Sequence, residues 1–226
     1  MPQELRPLVE RLALRPERRG AGALLSGSFG PIELVASLTG IGTEAAARAT
    51  ERILDTGPIE HLLVVGIAGG IGPSVRIGDV VVPELVLDLA TGVEYPPTPL
   101  GAAPARGVLA TSDELLERPE DALRLARRGV IAIDMETAAI AAVCARRRCP
   151  WSVFRAVSDR ADDGTTDTAV FGLVGPDGTP DLLAVLRFVL RRPWRIPRLV
   201  ALGRGARLAT GAAAAAAVRA LESLDA

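Results

Sequence analysis

The sequence predicts a single α/β domain built on a mixed central sheet, and three observations carry that expectation. Short aliphatic runs alternate with segments of helical periodicity along most of the chain. The 226 residues suffice for one large domain with a well-buried core and leave little room for two. Hydrophobic residues make up 49% and charged residues 23%, the balance of a globular chain and not of a disordered one.

From the N-terminus, Leu5, Leu8, Val9 and Leu12 recur at helical spacing and predict a helix over 2–14. A strand is expected at 32–38, then Gly40-Ile41-Gly42 and a helix over 43–54. His61-Leu62-Leu63-Val64-Val65 reads as a buried strand between Gly57-Pro58 and a glycine cluster. Residues 79–89 form a further strand region edged at Pro83, and the Pro- and Gly-rich stretch 91–104 an exposed loop. A strand at 108–111, a helix at 114–128, a strand at 130–133, a helix at 136–147 and a strand at 151–157 follow. Residues 181–190 and 196–224 are helix-prone, although Gly203, Gly205 and Gly211 each weaken the last helix by about 1 kcal/mol relative to Ala. There is no internal repeat. The expected organisation is one domain over 1–192 with a helical C-terminal extension over 193–226.

The net charge of -1 gives no general attraction to nucleic acid, and none is expected as a partner. Every basic residue except His61 is Arg, a compositional bias without functional weight. Two cysteines and one histidine cannot make a conventional structural zinc site without carboxylates, and neither metal nor cofactor is expected. With no signal peptide and no apolar run of the roughly 20 residues a membrane span needs, the expected setting is a reducing cytoplasm.

The glycine cluster Gly66-Ile67-Ala68-Gly69-Gly70-Ile71-Gly72 invites a dinucleotide-binding reading, which requires the glycine turn to open a helix. Pro73-Ser74-Val75-Arg76-Ile77-Gly78-Asp79 and the strand Val80-Val81-Val82 follow at once, leaving no room for one. Strand, tight glycine loop, strand is the expected geometry, suited either to close approach of a small ligand or to a structural turn.

Three segments together are more specific than any alone. The glycine loop leading into Gly78-Asp79-Val80-Val81-Val82, the run Ile133-Asp134-Met135-Glu136-Thr137-Ala138, and the run Phe154-Arg155-Ala156-Val157-Ser158-Asp159-Arg160 resemble, in order and spacing, motifs of the nucleoside phosphorylase and nucleosidase superfamily. The likeness runs from Met1 to about residue 190 and is greatest to the methylthioadenosine/S-adenosylhomocysteine nucleosidases. It implies a nucleoside substrate, a homodimer or higher homo-oligomer, and cleavage of an N-glycosidic bond. Such cleavage passes through a ribosyl cation, so a site must neutralise the departing base and support the positive sugar.

The resemblance implies that Asp159, protonated through burial, donates to N7 of the base while Ser158 holds it. Glu136 would accept the ribose hydroxyls and stabilise the cation, with Met135 along the sugar and Arg155 near ribose and water. Ile67, Ala68 and Gly69 would line the pocket. As residues alone, Asp159 and Glu136 also suit a helix cap and a helix first turn. Met1-Pro2-Gln3-Glu4 matches a family Met-x-x-Glu whose Glu is the general base activating water. In the family an inner strand precedes that motif; none precedes Met1, so the expectation is a sheet short of its first strand and a longer natural protein carrying an aliphatic run upstream.

Two departures bear on chemistry. Phosphorylases carry Arg and Ser donors around the first glycine; here Val64 and Ile67 stand there, and an apolar pair gives phosphate no charge-assisted bonds. Water is therefore the expected nucleophile. Thr111-Ser112-Asp113-Glu114-Leu115-Leu116 aligns with a segment in which nucleosidases stack adenine on a Phe; Leu115, beside Leu116, keeps an apolar wall without a ring. His61 is expected at a surface or strand end, Cys144 in the core, and Arg146-Arg147-Arg148 as cations at a helix C-terminus. The tail interleaves Arg187, Arg191, Arg192, Arg195, Arg198, Arg204 and Arg207 with Phe188, Trp194, Ile196, Leu199 and Val200. That pattern suits a helix packed on the domain or a neighbouring subunit, with peripheral membrane contact as the alternative. The latter would match the branch of the superfamily that acts on adenosylated hopanoid lipids. Two function classes result: an adenine nucleosidase, with a phosphorylase as its near variant, or a catalytically silent nucleoside-binding protein.

Overall fold

A computed structural model describes residues 2–16, 24–116, 118–161 and 196–224. The elements are α1 (Pro2–Leu12), β1 (Arg15–Pro16), β2 (Leu24–Phe29), β3 (Ile32–Ser37), α2 (Thr43–Leu54), β4 (Leu62–Gly70), β5 (Val80–Val81), β6 (Leu85–Asp88), β7 (Glu94–Tyr95), β8 (Val108–Thr111), α3 (Pro119–Arg127), β9 (Val130–Asp134), α4 (Thr137–Arg147), β10 (Trp151–Arg160) and α5 (Ile196–Glu222). The segment expected to be helical at 181–190 lies outside the described residues.

The main sheet has the order β5-β10-β4-β9-β8-β6-β7 and is mixed, as expected. β10 runs parallel to β4, and β8 parallel to both β6 and β9, while β5, β7 and the β4–β9 contact are antiparallel. Strand periodicity decides which helix each face receives. In β4, Leu62 and Val64 join Val153 and Val157 of β10 in a core shared with Ala46 and Leu54 of α2 and Ile140 and Cys144 of α4. The alternate residues Val65, Ile67 and Ala156 meet Ala209 and Ala213 of α5, and Leu63 and Phe154 meet Ala216, Ala217 and Ala220. The alanine run thus lets α5 lie close on the sheet. No described helix is long and apolar enough to cross a membrane.

β1, β2 and β3 form a second, antiparallel sheet. The expected single sheet is therefore divided among the described residues. β4 pairs along its length with β10, but its other edge meets β9 only at Gly69 and Gly70. Residues 62–65, 67 and 68 line a cavity whose far wall is β3. Among the described residues no strand pairs with that stretch of the β4 edge.

Several boundaries differ from expectation. β4 continues from Val65 to Gly70, so Gly66, Gly69 and Gly70 sit within a strand, and the turn is made afterwards by Gly72 (φ 75°) and Gly78 (φ 92°). The strand region at 79–89 splits at Pro83: β5 pairs with β10 and β6 with β8, on opposite sides of the sheet. β7 lies within the expected loop at 91–104 and pairs with β6. α3 starts at Pro119, whose ring suits the first helical position, and leaves Glu114 to Leu116 as a loop instead of a helix start. Arg146 and Arg147 do not cap their own helix in the main; both bind Glu51 of α2, and Arg147 also binds Asp55 at that helix's C-cap and donates to the Leu54 carbonyl.

Cys144 is fully buried, and burial, reinforced by nearby Cys149, pushes its thiol up to about 12. A thiol-alkylating reagent at mildly alkaline pH is expected to leave Cys144 unmodified in the folded protein and to label it fully in denaturant. Intact-mass measurement checks this, and rapid native labelling would refute it.

Candidate active site

The site forms where β4, β9 and β10 end and α4 begins. β9 terminates at Asp134, Met135 follows, and Glu136 occupies the N-cap position of α4 (φ −134°, ψ −36°). Its cap is supplied from outside: Asp134 Oδ1 accepts from the Thr137 amide at 3.3 Å and from Thr111 Oγ1 at 2.7 Å, and Asp134 Oδ2 accepts from Thr137 Oγ1. With Asp134 serving the helix start, the Glu136 carboxylate is turned into the cavity. Its Oε1 accepts from the Gly42 amide at 3.3 Å and its Oε2 from Arg155 Nη2 at 3.2 Å.

Arg155 shares the β10 face of Val153 and Val157 and is buried with them, its side chain 6% exposed. Its Nη2 lies 2.7 Å from Asp134 Oδ2, Nε and Nη2 donate to Thr137 Oγ1, and Nη1 donates to the Ile67 carbonyl at 3.3 Å. The guanidinium crosses β4 at Gly66, where a Cβ would overlap Nη1. That glycine belongs to the strand because an arginine must pass over it.

Beyond Arg155, the β10–β4 register shifts between Val157 and Asp159, which leaves Ser158 bulged. A bulge bends its strand and re-aims the side chains beside it. Ser158 Oγ lies 3.4 Å from the Ala68 carbonyl and donates to Asp159 Oδ1. On the other side, α5 presses on the bulge at Gly205, where a Cβ would overlap the Ser158 carbonyl oxygen.

Ile67, Ala68, Gly69, Leu115, Leu116, Met135, Glu136, Arg155, Ser158 and Asp159 thus line one cavity of about 830 Å³. Every site residue expected from the sequence is brought to it except Glu4, which falls on α1 while its side chain lies outside the described set. Asp134, Thr111 and Thr137 were not anticipated. Their signal was an Asp three residues before a Thr at a strand-to-helix junction, the spacing of a helix cap. His61 precedes β4 and is half-buried, with Nε2 2.8 Å from Ser152 Oγ; burial pulls its pKa down. Among the described residues no group of three or more His, Cys, Asp or Glu is placed to hold a metal ion.

The phosphorylase superfamily's sequence profile matches residues 1–105 and 97–191. The chain belongs to the phosphorylase superfamily. A 5′-methylthioadenosine/S-adenosylhomocysteine nucleosidase from Anoxybacillus flavithermus is 30% identical over 192 residues, covering 71% of this chain and 83% of the relative. The corresponding protein of Chromohalobacter salexigens is also 30% identical, covering 71% and 82%. Among solved structures, the Neisseria meningitidis nucleosidase of that name, bound to methylthio-immucillin-A, superposes with a TM-score of 0.73 at 21% identity, covering 99% of this chain and 96% of the other. The futalosine hydrolase of Helicobacter pylori superposes with a TM-score of 0.75 at 17% identity, covering 99% and 94%. Both share the fold of this chain.

Proposed function

We propose that this superfamily member hydrolyses the N-glycosidic bond of an adenine nucleoside such as methylthioadenosine or S-adenosylhomocysteine. The observation that carries the reading is the arrival in one cavity of two carboxylates held in different ways. Glu136 is fixed by Arg155 and a backbone amide, and Asp159 accepts a hydroxyl bond from Ser158. The names of the 30% identical relatives support it.

In this reading Asp159 carries a proton to N7 of adenine, and the Ser158 hydroxyl bond to Oδ1 helps to hold the carboxyl in place. The ribose hydroxyls donate to Glu136, whose negative charge faces the sugar as it becomes cationic. Arg155, 3.2 Å away through Nη2, holds that carboxylate in its aim. Met135 and Ile67 supply apolar contact, and Leu115 and Leu116 wall the base. Glu4 activates the water.

Water is favoured over phosphate by charge. Val64 is packed in the core and Ile67 presents a hydrocarbon side chain. Arg155 is the one arginine among the described residues that line the cavity, and Asp134 and Glu136 already balance it. Among the described residues, a phosphate dianion brought there would meet two carboxylates around a single cation. The deciding experiment incubates the protein with methylthioadenosine, with and without phosphate, and follows adenine and the sugar product. Free methylthioribose at a phosphate-independent rate is expected. A sugar 1-phosphate would replace hydrolysis by phosphorolysis, and tight binding without cleavage would favour a silent binding protein. The futalosine hydrolase that shares the fold makes futalosine a sensible second substrate to assay.

A further inference from the structure

The N-terminus of α2 has no cap of its own. Gly42 stands at the N-cap with φ 90° and no side chain to fold back on the first-turn amides. Two carboxylates from elsewhere do that work. Glu136 takes the Gly42 amide at 3.3 Å. Asp113 takes the Thr43 amide at 2.9 Å on Oδ1 and the Thr43 hydroxyl at 2.6 Å on Oδ2. A helix N-terminus favours negative charge, which reinforces both bonds.

Asp113 lies in the loop that leaves β8 and carries Leu115 and Leu116 into the cavity wall. The loop is fastened at its root, where the Ser112 amide donates to the Asp134 carbonyl at 3.0 Å, and turned by the Glu114 amide donating to Ser112 Oγ at 3.0 Å. Asp113 is its fastening to α2. The consecutive residues Gly42 and Thr43, the N-cap and first residue of α2, therefore hold the acid on one side of the cavity and the apolar wall on the other.

We infer that Asp113 and Thr43 are positioning residues, a latch that sets Leu115 and Leu116 against Glu136 and so determines how tightly the nucleoside is held. This rests on the nucleosidase reading for its substrate but not for its geometry. Neither side chain lines the cavity, so loss of the latch should weaken binding of ground and transition states alike, raising KM and sparing kcat. Asp113→Asn retains both bonds in altered form, its carbonyl accepting the Thr43 amide and its NH₂ donating to Thr43 Oγ1. Asp113→Ala removes both, and Thr43→Val removes only the hydroxyl bond.

The test measures kcat and KM for methylthioadenosine, together with amide hydrogen exchange, in the wild type and these three variants. Asp113→Ala is expected to raise KM about tenfold, the usual cost of a bond to a charged group, with kcat within about threefold. Asp113→Asn should restore most of the affinity and Thr43→Val fall between. Exchange should quicken at residues 42–44 and 112–116 in Asp113→Ala and not elsewhere. An unchanged KM, a fall in kcat at constant KM, or unchanged exchange would overturn the latch. If the wild type releases no adenine, the reaction assigned above fails on its own, and exchange alone decides: faster exchange confined to the two segments upholds the latch and unchanged exchange refutes it.

Discussion

Asp159→Asn is expected to lower kcat by about two to four orders of magnitude, the usual worth of general acid catalysis, while KM changes little. The amide is nearly isosteric and can still accept from Ser158 Oγ. The fold should survive because the side chain is only half-buried at the end of β10. What the amide lacks is a transferable proton. A variant keeping more than about a tenth of wild-type kcat would remove Asp159 from the chemistry, since so small a loss falls below the range of a general acid.

The second large effect separates two acids that share Arg155. Asp134 and Glu136 both lie within ion-pair distance of Nη2, but the Asp134 side chain is 1% exposed and that of Glu136 14%. Asp134→Ala leaves a buried guanidinium short of one anion and removes the acceptor for Thr111, Thr137 and the first amide of α4. Breaking a buried pair in this way should destabilise the protein by about 3–5 kcal/mol. Glu136→Gln leaves Asp134 to balance Arg155, so stability should fall far less, while loss of the charge facing the sugar cation reduces kcat by about a hundredfold or more. Chemical denaturation with single-turnover kinetics on both variants tests the division. Equal stability losses would make Glu136 another structural cap, and an unimpaired rate in Glu136→Gln would dismiss its electrostatic role.

The parts of this fold that were legible in the sequence are those where one local rule acts alone. Residues 43–54 form α2 and residues 108–111 form β8 as their periodicity predicts, because a helical stripe and a short aliphatic run each have one way to bury themselves. β2 was missed because Leu24-Leu25-Ser26-Gly27-Ser28-Phe29 has weak strand propensity, and its hairpin partner β3 provides the pairing that overrides it. The start of α3 was misplaced because Glu114, Leu115 and Leu116 carry helical periodicity while their neighbour Asp113 is drawn to another helix. For the candidate site, motif spacing singled out Arg155, Ser158, Asp159, Met135 and Glu136, all of which line the cavity. It could not reveal the bulge at Ser158 or the bonds to Asp134 and Gly42, which depend on strands and loops far apart in sequence.

The passage of Arg155 over Gly66 also constrains the order in which this protein can change. A side chain at position 66 requires the guanidinium to shift while position 155 is arginine, and that demand disappears once the arginine is shortened. The two positions are therefore epistatic. Gly66→Ala alone is expected to displace the guanidinium from its bonds to Asp134 and Thr137, and the same substitution beside a shortened residue 155 to cost less.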